Sequence, residues 1–180
     1  MRPSLPMRAA GPAGGGYPPG MPDLDDDTDR LLVRLLAADG RATLATLAAQ
    51  AGMSVSAVQA RVRRLESRGV ITGYAAAFDH EAMGLPLAAF VAITPLDPAQ
   101  PDDAPHRLAA VDAIEACYSV AGEDHYLLLV RAASPRALEG VLQEIRARAN
   151  VATRTTIVLQ TFFERRPPPA AAPGAAQEVS

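Results

Sequence analysis

Residues 54–69 (SVSAVQARVRRLESRG) constrain the fold most, because one short segment reads both as a helix with a buried stripe and as a basic surface. Ser54 is a suitable N-cap, Val55, Val58, Val62 and Leu65 recur along one side at near-helical spacing, and Gly69 supplies a C-terminal stop. At ~100° per residue the opposite side carries Ser56, Ala60, Arg63, Arg64 and Ser67, small residues first and guanidinium groups later. In isolation an arginine-rich helix is more often a solvated face than a binding surface. The residues upstream shift that balance. Residues 43–50 (TLATLAAQ) form a second short helical pattern with Leu44, Leu47 and Ala48 on one side, and only Ala51, Gly52 and Met53 separate it from Ser54. Two short helices joined by a tight turn make a helix-turn-helix, whose second helix enters the major groove of double-stranded DNA. Gly52 supplies the positive φ that such a turn needs. The candidate DNA contacts are Ser54, Ser56, Gln59, Arg63, Arg64 and Arg68, with Ser56 and Arg63 toward base edges and Arg64 and Arg68 toward phosphates.

A net charge of −3 argues against indiscriminate binding to nucleic acid, but the sum hides a local excess: residues 54–68 hold four arginines and one glutamate. The chain is long enough for one domain or two small ones, and 49% apolar residues can fill real cores. Cys117 is the only cysteine, which excludes an intramolecular disulfide and a cysteine-based zinc site; its neighbours Ile114, Tyr118 and Val120 suggest a buried thiol. The longest apolar run, residues 85–93, is too short to span a bilayer, and the N-terminus lacks the apolar segment of a signal peptide. A cytoplasmic protein with no membrane partner is expected.

Residues 1–22 are rich in Pro, Gly and Ala without apolar periodicity and read as a disordered tail. A first helix starts near Asp26, with Asp25, Asp26, Asp27 and Asp29 at its positive dipole end and Leu31, Leu32, Leu35 and Leu36 inward. The acidic run lacks the glycine and distal glutamate of a calcium loop, so capping is the better reading. Residues 70–78 read as a strand or small wing, which places a winged helix-turn-helix at 23–74 and a linker at 75–84. Beyond Gly84 the period changes. Strands are expected over 87–94, 114–120, 126–131 and 151–163, with helices over 102–111 and from Ser134-Pro135, where Leu138, Val141, Leu142 and Ile145 face inward. The order βαββαβ is that of a ferredoxin-like α+β domain, here spanning 85–165, before a low-complexity tail at 166–180. The first strand is apolar on both sides, Leu87, Ala89, Val91 and Ile93 against Ala88, Phe90 and Ala92, so the face without helices is expected to meet another subunit.

The run Asp39-Gly40-Arg41, Leu47-Ala48, Gly52-Met53-Ser54, Arg61-Val62-Arg63-Arg64-Leu65-Glu66, Gly69-Val70-Ile71 and Gly73-Tyr74 resembles the DNA-binding signature of the Lrp/AsnC (feast/famine) transcription regulators. The resemblance covers about residues 24–165. It implies a C-terminal βαββαβ domain that forms dimers, commonly assembled into octamers, with a small effector bound near contacts between dimers. The family's Gly-x-x-Asp-Tyr-like motif is matched by Gly122-Glu123-Asp124-His125-Tyr126, where His125 stands in place of the usual aspartate. These five residues and Thr156, carried over from a strand position near the pocket, are the candidate effector contacts. A polar turn facing water is the plainer alternative. An amino acid offers an ammonium and a carboxylate, which suit acidic side chains and free backbone N–H groups.

The expected function is a sequence-specific transcription regulator responding to an amino acid; a nucleoid-organising protein indifferent to ligands remains the alternative. No nucleophile, base and orienting group come together, and His80, His106 and His125 lie in three separate segments, so no enzyme is expected. No cofactor is implied, and three consecutive residues such as Glu123, Asp124 and His125 rarely converge on a metal.

Overall fold

A computed structural model describes residues 26–168. The tail expected at 1–22, residues 169–180 of the tail expected at 166–180, and Asp25 lie outside the described residues. The chain divides into two units, with boundaries in the sequence between Ala75 and Ala76 and between Glu164 and Arg165.

In the first unit each helix starts where the sequence supplies a cap. Helix α1 (Asp27–Ala38) begins as the Asp26 carboxylate accepts a bond from the Asp29 N–H at 2.7 Å. Helix α2 (Leu44–Ala51) follows Thr43, whose hydroxyl accepts from the Thr46 N–H at 3.1 Å, and ends at Gly52 with φ +64°. Helix α3 (Val55–Ser67) starts at Ser54, which accepts from the Ala57 N–H at 3.3 Å. Leu32, Leu47, Ala48, Val58, Val62 and Leu65 form the buried core. Val55, expected in the buried stripe, is 47% exposed. It stands ~50° around α3 from the mean direction of Val58, Val62 and Leu65, at the margin of the stripe. The strand expected within residues 70–78 does not form. Tyr74 is tied instead to α3 by its hydroxyl, which donates to Glu66 Oε1 at 2.9 Å.

The second unit has the order β1 (Leu87–Pro95), α4 (Ala104–Leu108), β2 (Ile114–Ser119), β3 (Tyr126–Ala132), α5 (Pro135–Ala149) and β4 (Val151–Ile157). Its antiparallel sheet runs β2-β3-β1-β4, the ferredoxin-like arrangement. Ala89, Val91 and Ile93 of β1 pack with Tyr126, Leu128 and Val130 of β3 and with Leu138, Leu142 and Ile145 of α5. The opposite face leaves Phe90 38% exposed. Three expectations need correction. Helix α4 is shorter than residues 102–111: it starts at Ala104, where the N-cap Asp103 makes no side-chain capping bond, and gives way after Leu108 to a turn in which the Val111 N–H donates to the Leu108 carbonyl at 3.0 Å. Strand β4 stops at Ile157 rather than 163, because its partner β1 begins at Leu87, just after a proline that cannot donate to a ladder; a last bond joins the Val158 N–H to the Ala88 carbonyl at 2.9 Å. Cys117 is exposed, not buried: β2 is an edge strand, whereas α5 packs on β3 and β4.

Residues 76–84 group with the second unit, where His80 Nε2 lies 3.5 Å from Glu115 Oε2. Among the described residues, no helix is long and apolar enough to cross a membrane.

Candidate DNA interface and effector cleft

Burial of Val58, Val62 and Leu65 turns the opposite side of α3 outward. Ser56, Ala60, Arg63 and Ser67 are exposed there, with Gln59 half-buried at the margin. Ser54 and Ser56 hydroxyls stand 3.2 Å apart over the first turn, and Arg68 is the helix C-cap. This is a surface of small side chains with one guanidinium near its middle, a shape that fits a groove.

Arg64 stands elsewhere in the electrostatics of the unit. Its Nη2 donates to Asp29 Oδ2 at 2.6 Å, and Arg61 Nη1 donates to Asp29 Oδ1 at 2.8 Å and to Asp26 Oδ2 at 2.5 Å. Asp29 is fully buried, and both of its oxygens accept bonds from α3. The bond from Arg61, together with the Asp29 N–H, holds the Asp26 carboxyl below the usual carboxylate range. The sequence signals the acidic start of α1 and the basic half of α3, but not that they meet.

In the second unit, residues 122–126 join β2 to β3. The turn is pinned by its backbone: the His125 N–H donates to the Ile93 carbonyl at 3.1 Å and the Val120 N–H donates to the His125 carbonyl at 3.2 Å. Gly122 has φ +153°, and a Cβ there would meet nothing within 4 Å, so a side chain would be opposed by backbone conformation rather than crowding. A shallow cleft of about 330 Å³ is lined by Asp102, Ser119, Gly122, Asp124, His125 and Tyr126, among others. Glu123 is exposed and does not line it.

Tyr126 faces the helices, where its hydroxyl donates to Asp102 Oδ1 at 2.6 Å. Burial first, and that bond second, push its pKa up to about 12. Asp124 turns instead to β1 and β4: it accepts from Thr94 Oγ1 at 3.4 Å and from the Arg154 guanidinium. Thr156 lies on the same face of β4 two residues beyond Arg154, opposite Phe90, and does not line the cleft. Thr94, Asp102 and Arg154 were not among the expected site residues. They come from three other segments, and only the β1–β4 register and the start of α4 bring them to the turn.

A family model described as a winged helix-turn-helix DNA-binding domain matches residues 25–72, and one described as the Lrp/AsnC ligand binding domain matches residues 88–168. The HTH-type transcriptional regulator LrpA of Mycobacterium tuberculosis is 67% identical over 141 residues, covering 78% of this chain and 94% of that protein. The leucine-responsive regulatory protein of Salmonella typhimurium is 34% identical over 140 residues, covering 75% of this chain and 85% of its own. A feast or famine regulatory protein of M. tuberculosis, solved in complex with L-methionine, superposes with a TM-score of 0.77 at 67% identity, over 78% of this chain and 96% of that one.

Proposed function

Because the chain belongs to the Lrp/AsnC family of transcriptional regulators, we propose that it is a cytoplasmic, sequence-specific regulator whose hold on double-stranded DNA responds to an amino acid. Its relatives are named as transcriptional regulators, which makes it a DNA-binding regulator rather than an enzyme. Helix α3 lies in the major groove, with Ser56, Gln59 and Arg63 toward base edges, and Ser54 and Arg68 toward the backbone. The capped turn at Gly52 and the exposed small residues of α3 support this placement.

The effector half rests on one juxtaposition: Asp124 and Arg154 meet beside an open polar cleft. A carboxylate and a guanidinium side by side are complementary to the ammonium and carboxylate of a free amino acid, which binds by exchanging one internal ion pair for two external ones. Gly122, Glu123, His125 and Tyr126 shape the turn around it, and Thr156 adds a hydroxyl further along the strand. The relative bound to L-methionine makes that amino acid the first to try. Phe90 and its neighbours on the face without helices mediate homo-oligomer formation, as a two-fold dimer at least, and octamers are built from such dimers. Binding at the cleft shifts the assembly between arrangements that differ in affinity for spaced DNA sites.

Calorimetric titration against the twenty amino acids tests this reading. At least one is expected to bind, and Asp124→Ala to lose roughly 1.5–3 kcal/mol of its affinity. A wild type that binds none rejects the effector role.

A further inference from the structure

We infer that Asp29 is a positioning residue for DNA recognition, holding Arg61 and Arg64 of α3 away from the phosphates so that selectivity rests on the outward face of the helix. The inference builds on the reading of α3 as the recognition helix. Its observation is separate: a fully buried carboxylate on α1 uses both oxygens on α3, at 2.8 Å to Arg61 and 2.6 Å to Arg64. Both arginines keep exposed surface, 26% and 46% of their side chains, so neither is shut away by packing alone. Helical spacing puts Arg64 about 100° from Arg63 and nearer α1, within swing of the DNA backbone if Asp29 let it go. An arginine bound to a phosphate holds any sequence equally well. Neutralising two such charges internally lowers the sequence-independent part of the affinity and leaves the base-reading part intact. Asp26 reinforces the arrangement through Arg61 and through the Asp29 N–H. The arrangement also fixes the start of α1 against the middle of α3, and with it the angle at which α3 is presented.

The test is the salt dependence of affinity of the full chain for a labelled duplex of mixed sequence between about 50 and 200 mM KCl. Arg64→Ala should leave the slope of log K against log salt as in the wild type. Asp29→Asn should steepen it by about 0.9 for each arginine freed in each engaged recognition helix, an extra loss of about 3.5-fold across that range. Adding Arg64→Ala to Asp29→Asn should reverse one such increment. A purely structural role for Asp29 would lower affinity by the same factor at every salt concentration and leave the slope unmoved, which overturns the proposal. Should Asp29→Asn fail to fold by circular dichroism, Arg64→Ala decides alone: an unchanged slope supports the proposal, and a slope flatter by about 0.9 overturns it. A wild type that does not bind the duplex at all would overturn the recognition-helix reading itself, an outcome distinct from binding with a flattened Arg64→Ala slope.

Discussion

Arg63 points away from the core of its unit, opposite Val58, Val62 and Leu65, on the side of α3 proposed to face the bases. Arg63→Ala is expected to cost ~1–3 kcal/mol at particular base pairs, whereas Arg68→Ala should weaken all sequences alike; electrophoretic titration against duplexes that differ at single positions separates the two. Equal binding by wild type and Arg63→Ala on every duplex would remove this side chain from recognition. Tyr126 supplies a second residue-scale test. Its pKa is pushed up from the usual 10 to about 12, because burial disfavours the phenolate and Asp102 accepts a hydrogen bond from the hydroxyl. The folded pKa lies above the unfolded one, so this group's contribution to stability is complete below about pH 10 and lost as pH rises toward 12. Tyrosinate absorbance, with Tyr126→Phe to identify the residue, should show a lower midpoint in Asp102→Asn, still above the ordinary value since burial remains. An unmoved midpoint would mean that the Asp102 bond contributes nothing. The sequence put Arg63 on the outward side of α3 through local spacing and singled out Tyr126 through its resemblance to the family's motif. It gave no hint of Arg154 or Asp102, because their places depend on pairing between segments far apart in the chain.

Four of the helices, α1, α2, α3 and α5 but not α4, were legible near their starts because a cap is a local chemical event. Asp26, Thr43, Ser54 and Ser134 each accept a bond from a backbone N–H three residues on. Element ends that depend on a partner were not legible in the same way. Strand β4 stops where β1 runs out, and residues 70–78, which pair with no strand among the described residues, form none. Gly52 shows what the turn between α2 and α3 requires of the backbone. At φ +64° with open space around it, Gly52→Ala should cost about 1 kcal/mol through strain alone, lowering the melting temperature without altering the fold. Thermal denaturation followed by circular dichroism checks this; no loss of stability would contradict a strained left-handed position.

At the scale of the whole molecule, the two sides of β1 have different fates. Val91 is completely buried under the helices and Phe90 is partly exposed on the other face. Val91→Asp should unfold the C-terminal unit, because an unpaired buried charge costs several kcal/mol, whereas Phe90→Asp should keep the fold and lose the proposed homo-oligomer. Light scattering beside circular dichroism distinguishes them, and an unchanged mass for Phe90→Asp would place the subunit contact elsewhere. The sequence showed that β1 is apolar on both faces, but alternation alone could not say which face the helices cover. The proposed coupling of an amino acid at residues 122–126 to DNA at α3 is put to the test by reciprocal linkage. DNA affinity is measured with and without saturating amino acid, starting with L-methionine, and amino-acid affinity with and without DNA. The two ratios should be equal, differ from one by about 5–150-fold, and fall toward one in Asp124→Ala. An amino acid that binds the cleft while leaving DNA affinity unmoved would contradict the coupling.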